Sequence, residues 1–282
     1  MTRVAHVSDP HFGSADPRIA EALLDELRAY APTLIAISGE LTQRARASQF
    51  AAARAYLERL PAPYLVVPGN HDLPLYDVFA RFTHPLRAYH RYVTTESMPR
   101  FTTNEVCVVG LDTADPHAFK AGKVRPAQLA AACDVFARSP RPWKLLVAHH
   151  PFVAPAASAG DLADGAGPAL GRLIGAGVDL ILTGHLHVAY ADEAAAFRDR
   201  GHSVIAVHAG TCFSTRTRGQ PNGYNQIEVA GNTATITHRV WDERRFVDGH
   251  RKSYRREKAV HSPAVGYLQL PWMSSTRSAT RR

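Results

Sequence analysis

Val4-Ala5-His6-Val7-Ser8-Asp9-Pro10-His11 joins two signals within eight residues. A short apolar run of the kind that forms a buried strand is followed at once by a carboxylate and an imidazole. Side chains two apart at a strand end face the same side, so Asp9 and His11 can approach one ion together. The arrangement recurs along the chain. Residues 34–37 lead into Gly39-Glu40, and residues 64–67 lead into Gly69-Asn70-His71-Asp72. Residues 145–148 lead into His149-His150, and residues 178–182 lead into Gly184-His185-Leu186-His187. In open α/β sheets, ligands and catalytic groups gather beyond the carboxyl ends of the strands. Five such ends in phase predict one shared site.

Residues 18–31 and 47–60 carry apolar side chains at helical spacing, and each stretch lies between two of the strands. That βαβα order predicts a parallel sheet with helices packed on it. The texture changes near residue 203. Residues 203–209 and 224–229 are strand-like, and Ala230-Gly231-Asn232 marks a turn before residues 233–240. This predicts an antiparallel addition that forms a second sheet against the first. The expected fold class is therefore α/β, a two-sheet sandwich flanked by helices, with a metal site at the carboxyl ends of the strands. One domain is expected over residues 1–249, with insertions at about 73–103 and 151–167. A basic, poorly ordered tail is expected over 250–282. The aromatic stripe Phe79, Phe82, Tyr89 and Tyr92 in the first insertion is expected to serve packing.

The net charge of +8 suggests a polyanion partner until its location is considered. From His250 onward the chain carries eight Lys/Arg against Glu257, which leaves 25 basic and 24 acidic residues in the body. Nucleic acid is therefore not the expected partner, except weakly through the tail. No apolar run approaches the ~20 residues that span a bilayer. No charged-then-apolar leader opens the chain, so a cytoplasmic location is expected. The isolated Cys107, Cys133 and Cys212 are expected to be buried, reduced thiols, in keeping with a reducing compartment. His6, His202, His208 and His238 lie in or beside strand patterns and are expected to be core or surface residues.

The remaining polar residues define a chemistry. Glu40 offers a carboxylate able to bridge two ions, and Asn70 a neutral carbonyl oxygen. His149 and His150 are adjacent and point apart, so only one of them can be a ligand. Oxygen and imidazole donors without a thiolate suit Zn, Mn, Fe or Co. Two such ions ~3.5–4 Å apart can clamp a phosphoryl group and generate hydroxide between them. Arg216, Arg218, Asn222 and Asn225 follow Gly210-Thr211 in a stretch too polar for core, either a phosphate-facing wall or a solvated loop.

In order and spacing, these motifs resemble the D-x-H, G-D, G-N-H-D/E, H and G-H-x-H pattern of the calcineurin-like metallophosphoesterases, in particular small bacterial-type phosphodiesterases. The resemblance implies that Asp9, His11, Glu40 and His187 hold one ion, while Glu40, Asn70, His149 and His185 hold the other. His149 is preferred over His150 because the family ligand is the first His of its His-His-Pro segment. His71 corresponds to a catalytic histidine that is not a ligand, and Arg44 to an arginine that phosphatase relatives place on phosphate. The implied activity is cleavage of a small phosphodiester by a metal-bridging hydroxide, with His71 as proton donor. The alternatives are a phosphomonoesterase, a nucleotide-sugar pyrophosphatase, or a metal-poor binding scaffold of the same fold.

Two residues depart from that pattern. Glu40 stands where the family has aspartate, and one more methylene carries a carboxylate outward by roughly 1.3–1.5 Å. Metal sites tolerate ligand-distance deviations of about ±0.2 Å. Either the loop recedes, the glutamate folds back, or one ion is weakly held; in the last case Glu40→Asp would tighten it. Gln43 replaces an aspartate that orients the catalytic histidine in many relatives, and its side chain is expected to accept a hydrogen bond from His71.

Overall fold

The computed structural model describes residues 1–153, 161–193 and 204–256. Two six-stranded sheets stack face to face. The first runs in the order β12 (Phe246–Arg255), β11 (Thr233–Trp241), β10 (Gly223–Ala230), β1 (Thr2–Val7), β2 (Leu34–Ile37), β3 (Tyr64–Val66). The second runs β4 (Arg100–Thr102), β5 (Val106–Leu111), β6 (Trp143–Ala148), β7 (Leu180–Thr183), β9 (Ile205–His208), β8 (Tyr190–Glu193). Strands β1, β2 and β3 are parallel, as are β5, β6, β7 and β9. Their carboxyl ends carry the motifs.

The alternation along each strand explains the layering. In β2, Leu34 and Ala36 face the other sheet, where they join Leu65, Val108, Leu145, Leu182, Val207 and Ile236 in one core. Ile35 and Ile37 face the opposite side, onto α1 (Pro17–Tyr30) and α2 (Ala47–Leu57), among Leu23, Leu27, Phe50 and Leu57. The outer face of the second sheet is covered likewise by α5 (Pro126–Arg138) and α6 (Ala166–Gly175), through Phe136, Leu170 and Leu173. Helix α1 begins where Asp16 accepts a hydrogen bond from Arg18 N, with Pro17 in the first turn. It ends at Ala31, which takes left-handed φ of 48° and donates to Leu27 O. No described helix is long and apolar enough to cross a membrane.

Four expectations need correction. The region after residue 203 does not make the second sheet. Its first strand, β9, lies parallel to β7 inside that sheet, while β10, β11 and β12 extend the first sheet antiparallel from β1. The basic segment does not begin as a tail at 250, because β12 carries Arg251, Lys252 and Arg255 along the edge of the first sheet. Charged side chains there oppose edge-to-edge pairing. Arg256 then pairs with Asp179 at 2.8 Å. Residues 257–282, residues 154–160 of the second insertion, and His202 lie outside the described residues.

The aromatic stripe divides. Tyr89 is buried on α4 (Arg87–Tyr92), and Tyr92 stacks on Phe50 with centroids 6.3 Å apart. Phe79 and Phe82 on α3 (Val78–Thr83) are instead 77% and 53% exposed. Among the cysteines, all free, Cys107 and Cys212 are buried and Cys133 only half-buried. His6 and His208 are core residues, and His238 is half-buried on β11.

Candidate metal centre

Five of the candidate ligands sit in left-handed backbone: Asp9, His11, Glu40, His185 and His187, with φ between 47° and 68°. Side chains other than glycine adopt that region at a cost, and such residues persist only where their surroundings fix them. Here the loops fix one another. Asp9 N donates to Gly39 O at 3.1 Å, His11 N to Glu40 O at 3.0 Å, and Thr211 Oγ1 to Asp9 O at 2.6 Å. The loop after β7 closes onto the loop after β1 at Gly184, where any Cβ would run into Ser8 Oγ and Asp9 Oδ2.

Glu40 lies between two groups of donors. Its Oε2 is 2.9 Å from His11 Nε2 and 3.7 Å from His187 Nε2. Its Oε1 is 3.4 Å from His149 Nε2 and 3.9 Å from His71 Nε2. On the first side, donor atoms of Asp9, His11, Glu40 and His187 all lie within 4.8 Å of one another. On the second, His149 Nε2 approaches His185 Nδ1 at 3.3 Å. The glutamate thus reaches both groups, and the additional methylene is placed beside Gly69, where a Cβ would strike Glu40 Cγ.

Hydrogen bonds to the far atom of each ligand aim its near atom. His149 Nδ1 donates to Ser38 O at 2.8 Å, and His187 Nδ1 to Arg216 O at 2.6 Å, which turns each Nε2 toward the centre. Asn70 donates its amide nitrogen to Phe119 O at 3.4 Å, and its buried Oδ1 has no hydrogen-bond partner. Asp9 Oδ2 accepts from Ser8 Oγ at 2.5 Å and His185 N at 3.2 Å, while its buried Oδ1 lies 3.3 Å from His187 Nε2 and 3.8 Å from His11 Nε2. A buried amide oxygen such as Asn70 Oδ1 is costly to leave unpartnered, and a cation would complete it. Donor atoms so placed can hold a metal ion. His150 falls close to His149 and His185. Both its nitrogens are engaged, however, Nδ1 with Thr113 Oγ1 at 2.9 Å and Nε2 with Lys120 O at 3.0 Å. It supports the site without offering a free donor.

Titration reflects the same charge pattern. Burial pushes the Glu40 carboxyl up, but the adjacent His11 and His149 outweigh it and hold Glu40 well below the usual range. Burial opposes the charged form of His149 and His187, yet Glu40 raises the former to about 9 and Asp9 raises the latter to about 10. Without metal, protons on these two histidines balance the carboxylates. Burial lowers His185 to about 4, with the charge on His149 acting in the same direction.

His71 stands at the rim. Its Nδ1 donates to the Gln43 main-chain carbonyl at 2.8 Å. The hydrogen bond expected from the Gln43 side chain is therefore made by its backbone; the side-chain amide lies 3.3 Å from Arg216 Nη1 and 3.1 Å from Ser14 Oγ. His71 Nε2 accepts from Arg216 Nη1 at 3.2 Å, and Arg44 Nη1 lies 3.2 Å from Nδ1. Burial lowers the His71 pKa. Of the four candidate substrate residues, Arg44 and Arg216 meet at this histidine. Asn222 does not face the site: its amide donates to Thr211 O and Ser214 O, pinning the loop. Arg218 is exposed at a turn beside Gly219 and makes no described hydrogen bond to a site residue.

Sequence reasoning passes over Asp72, which ties two site loops together. Its carboxylate accepts from Gly69 N, Leu41 N, Thr42 N and Thr42 Oγ1 at 2.8–3.2 Å, holding the Glu40 loop against the Asn70 turn. The signal was present as the last position of Gly69-Asn70-His71-Asp72. The Ser38 and Phe119 carbonyls had no such signal, since any residue supplies a carbonyl.

Comparison with solved structures finds the same architecture. PhoD superposes with a TM-score of 0.67 at 13% identity, over 94% of this chain and 72% of that one. The purple acid phosphatase PPD1 isolated from yellow lupin (Lupinus luteus) seeds gives 0.63 at 13% identity, over 91% of this chain and 54% of that one. The chain thus spans only about half the length of the lupin protein, and at these identities the likeness shows the fold alone. Comparison with curated proteins gives no match. The sequence pattern of the calcineurin-like phosphoesterases matches residues 2–189, more than half of the chain, and takes in every loop that meets at Glu40. The chain belongs to the calcineurin-like phosphoesterase family.

Proposed function

We propose that this chain is a dinuclear metal-dependent phosphodiesterase. The observation that carries the proposal is Glu40, whose two carboxylate oxygens face two different donor groups. Asp9, His11, Glu40 and His187 would hold one ion; Glu40, Asn70, His149 and His185 would hold the other. When bound, such ions lower the pKa of water and neutralise charge on phosphoryl oxygens.

The remaining groups act on the substrate. Arg44 and Arg216 converge on His71 and can each donate to a phosphoryl oxygen. His71 Nδ1 is committed to the Gln43 carbonyl, so Nε2 is the atom that would transfer a proton. In the free protein, Nε2 accepts from Arg216. An arriving phosphoester draws that guanidinium onto its own oxygens, and its negative charge favours the protonated imidazole. His71 then protonates the departing alkoxide. A diester is preferred over a monoester because of what adjoins His71 and Asn70. There a cavity of 110 Å³, lined also by Leu73, Leu75 and Phe119, offers room and an apolar surface for a second ester substituent.

The test loads the protein with Mn or Zn and compares a bis-aryl diester with an aryl monoester. The expected outcome is metal-dependent turnover with higher kcat/KM on the diester. Faster turnover of the monoester would overturn the diesterase assignment. No turnover of either, with fewer than one ion bound per chain, would favour the binding scaffold.

A further inference from the structure

Seven large hydrophobic side chains are exposed among the described residues, and five of them, Tyr76, Val78, Phe79, Phe82 and Phe119, lie on two segments next to the cavity beside His71. Phe119 is 75% exposed, Phe79 77% and Tyr76 75%. Val78 and Phe82 lie one helical turn apart on α3, with Phe79 beside them. Arg81 binds this helix to the loop that carries Phe119. It is buried, donates to Pro74 O at 2.9 Å, to Pro116 O at 2.7 Å and to Ala118 O, and stacks on the Phe119 ring at 5.3 Å. Phe82 packs on His117, centroids 5.3 Å apart. The two segments form one wall. It is continuous with the proposed site, since Phe119 lines the cavity while its carbonyl holds Asn70.

We propose that the substrate is amphiphilic, a phosphoester in which one substituent is an aliphatic chain that runs from the cavity over this wall. The inference rests on the phosphoester reading of the same site. Chemical polarity supports it: the Arg44 and Arg216 guanidiniums and the ligand cluster stand at one end, the apolar side chains at the other. Clustered exposed apolar side chains rimmed by polar groups recur at ligand-binding grooves. A nucleobase fits less well. Its polar edge needs hydrogen-bonding partners, and among the five wall side chains only Tyr76 carries a polar group. Arg81, which lies within the wall, is held by three carbonyls. An aliphatic chain needs no partners and gains up to about fourfold in affinity for each methylene fully buried.

The experiment uses the metal-loaded protein and two families of probe. Straight-chain alkylphosphonates from ethyl to octyl carry no ester bond and report binding by calorimetry. Alkyl 4-nitrophenyl phosphodiesters of the same chain lengths report turnover. Affinity is expected to rise with chain length, by about two- to fourfold per methylene, with an increasingly negative heat-capacity change. Phe79→Ser and Phe82→Ser alter exposed side chains that do not line the cavity. They should flatten the chain-length dependence while ethylphosphonate, too short to reach them, binds as before. Equal affinity for ethyl and octyl probes would overturn the inference, as would an unchanged slope in both variants. Tighter binding of adenosine 5′-monophosphate than of octylphosphonate would replace the chain with a planar base. A dimer that Phe79→Ser dissociates would assign the wall to a second copy. Chain-dependent phosphonate binding without diester turnover would sink the diesterase reading alone. Turnover without chain dependence would sink this inference alone.

Discussion

On one side of Glu40 stand Asp9, His11 and His187; on the other stand His149 and His185, with Asn70 as the proposed further ligand. The first group holds a second carboxylate, fully buried, and the second has only neutral donors besides the shared glutamate. Charge therefore differs more than geometry between the two halves. A dication held on the Asp9 side would have two carboxylates as ligands, whereas one on the His149 side would have only the shared glutamate and would rely on neutral donors. The proposed ions should differ in affinity accordingly, with the Asp9 side filling first.

That asymmetry can be broken from either half. The largest effect is expected for Asp9→Asn, which removes charge from the tighter group. It should lose both ions and activity together, with little rescue by added metal. Asn70→Ala should lose only the weaker ion and recover activity in excess metal. Metal content and rate, measured on the same samples, check both outcomes, and equal losses would show that the halves are equivalent. His71→Ala comes next: both ions retained, and turnover lower by ~10²–10⁴-fold. The deficit should shrink on substrates whose leaving group needs no proton.

Glu40→Asp gives a smaller, more discriminating effect. The sequence alone suggests that aspartate would repair an ill-fitting bridge. Since Glu40 reaches both groups from beside Gly69, shortening it should instead weaken the metals, by at least the ~10–100-fold typical of losing a residue that merely supports a ligand. A metal-binding isotherm decides the sign; tighter binding would restore the opposite view. Loading should also release protons, because His149 and His187 are raised to about 9 and about 10 and so carry protons at pH 8. Affinity should rise with pH through that range. The smallest effect is expected for His150→Gln. Stoichiometry should stay unchanged, since both ring nitrogens already serve Thr113 and Lys120.

The strand ends were legible because buried parallel strands read as continuous apolar runs, and each polar motif follows one directly. The run in β2 and the motif Gly39-Glu40 after it are local facts, so the sequence contains them. Partner choice is not local. Strands β9 and β10 read alike, yet one completes the second sheet and the other pairs with β1, and no residue in either run records which sheet edge is open. The aromatic stripe fails for a related reason. Helical spacing tells which of Phe79, Phe82, Tyr89 and Tyr92 share a face, but not whether anything covers that face. Asn222 shows a third limit: a polar residue near a phosphate site looks functional until its amide is found on two carbonyls.

The central claim is that one glutamate joins two ions. Anomalous diffraction at the manganese edge, from crystals grown with Mn, tests it most directly. The account predicts two peaks ~3.5–4 Å apart, one among Asp9, His11 and His187 and one among Asn70, His149 and His185, with a Glu40 oxygen on each. A single peak bound by His149, His150 and His185, with Glu40 turned away from it, would contradict it.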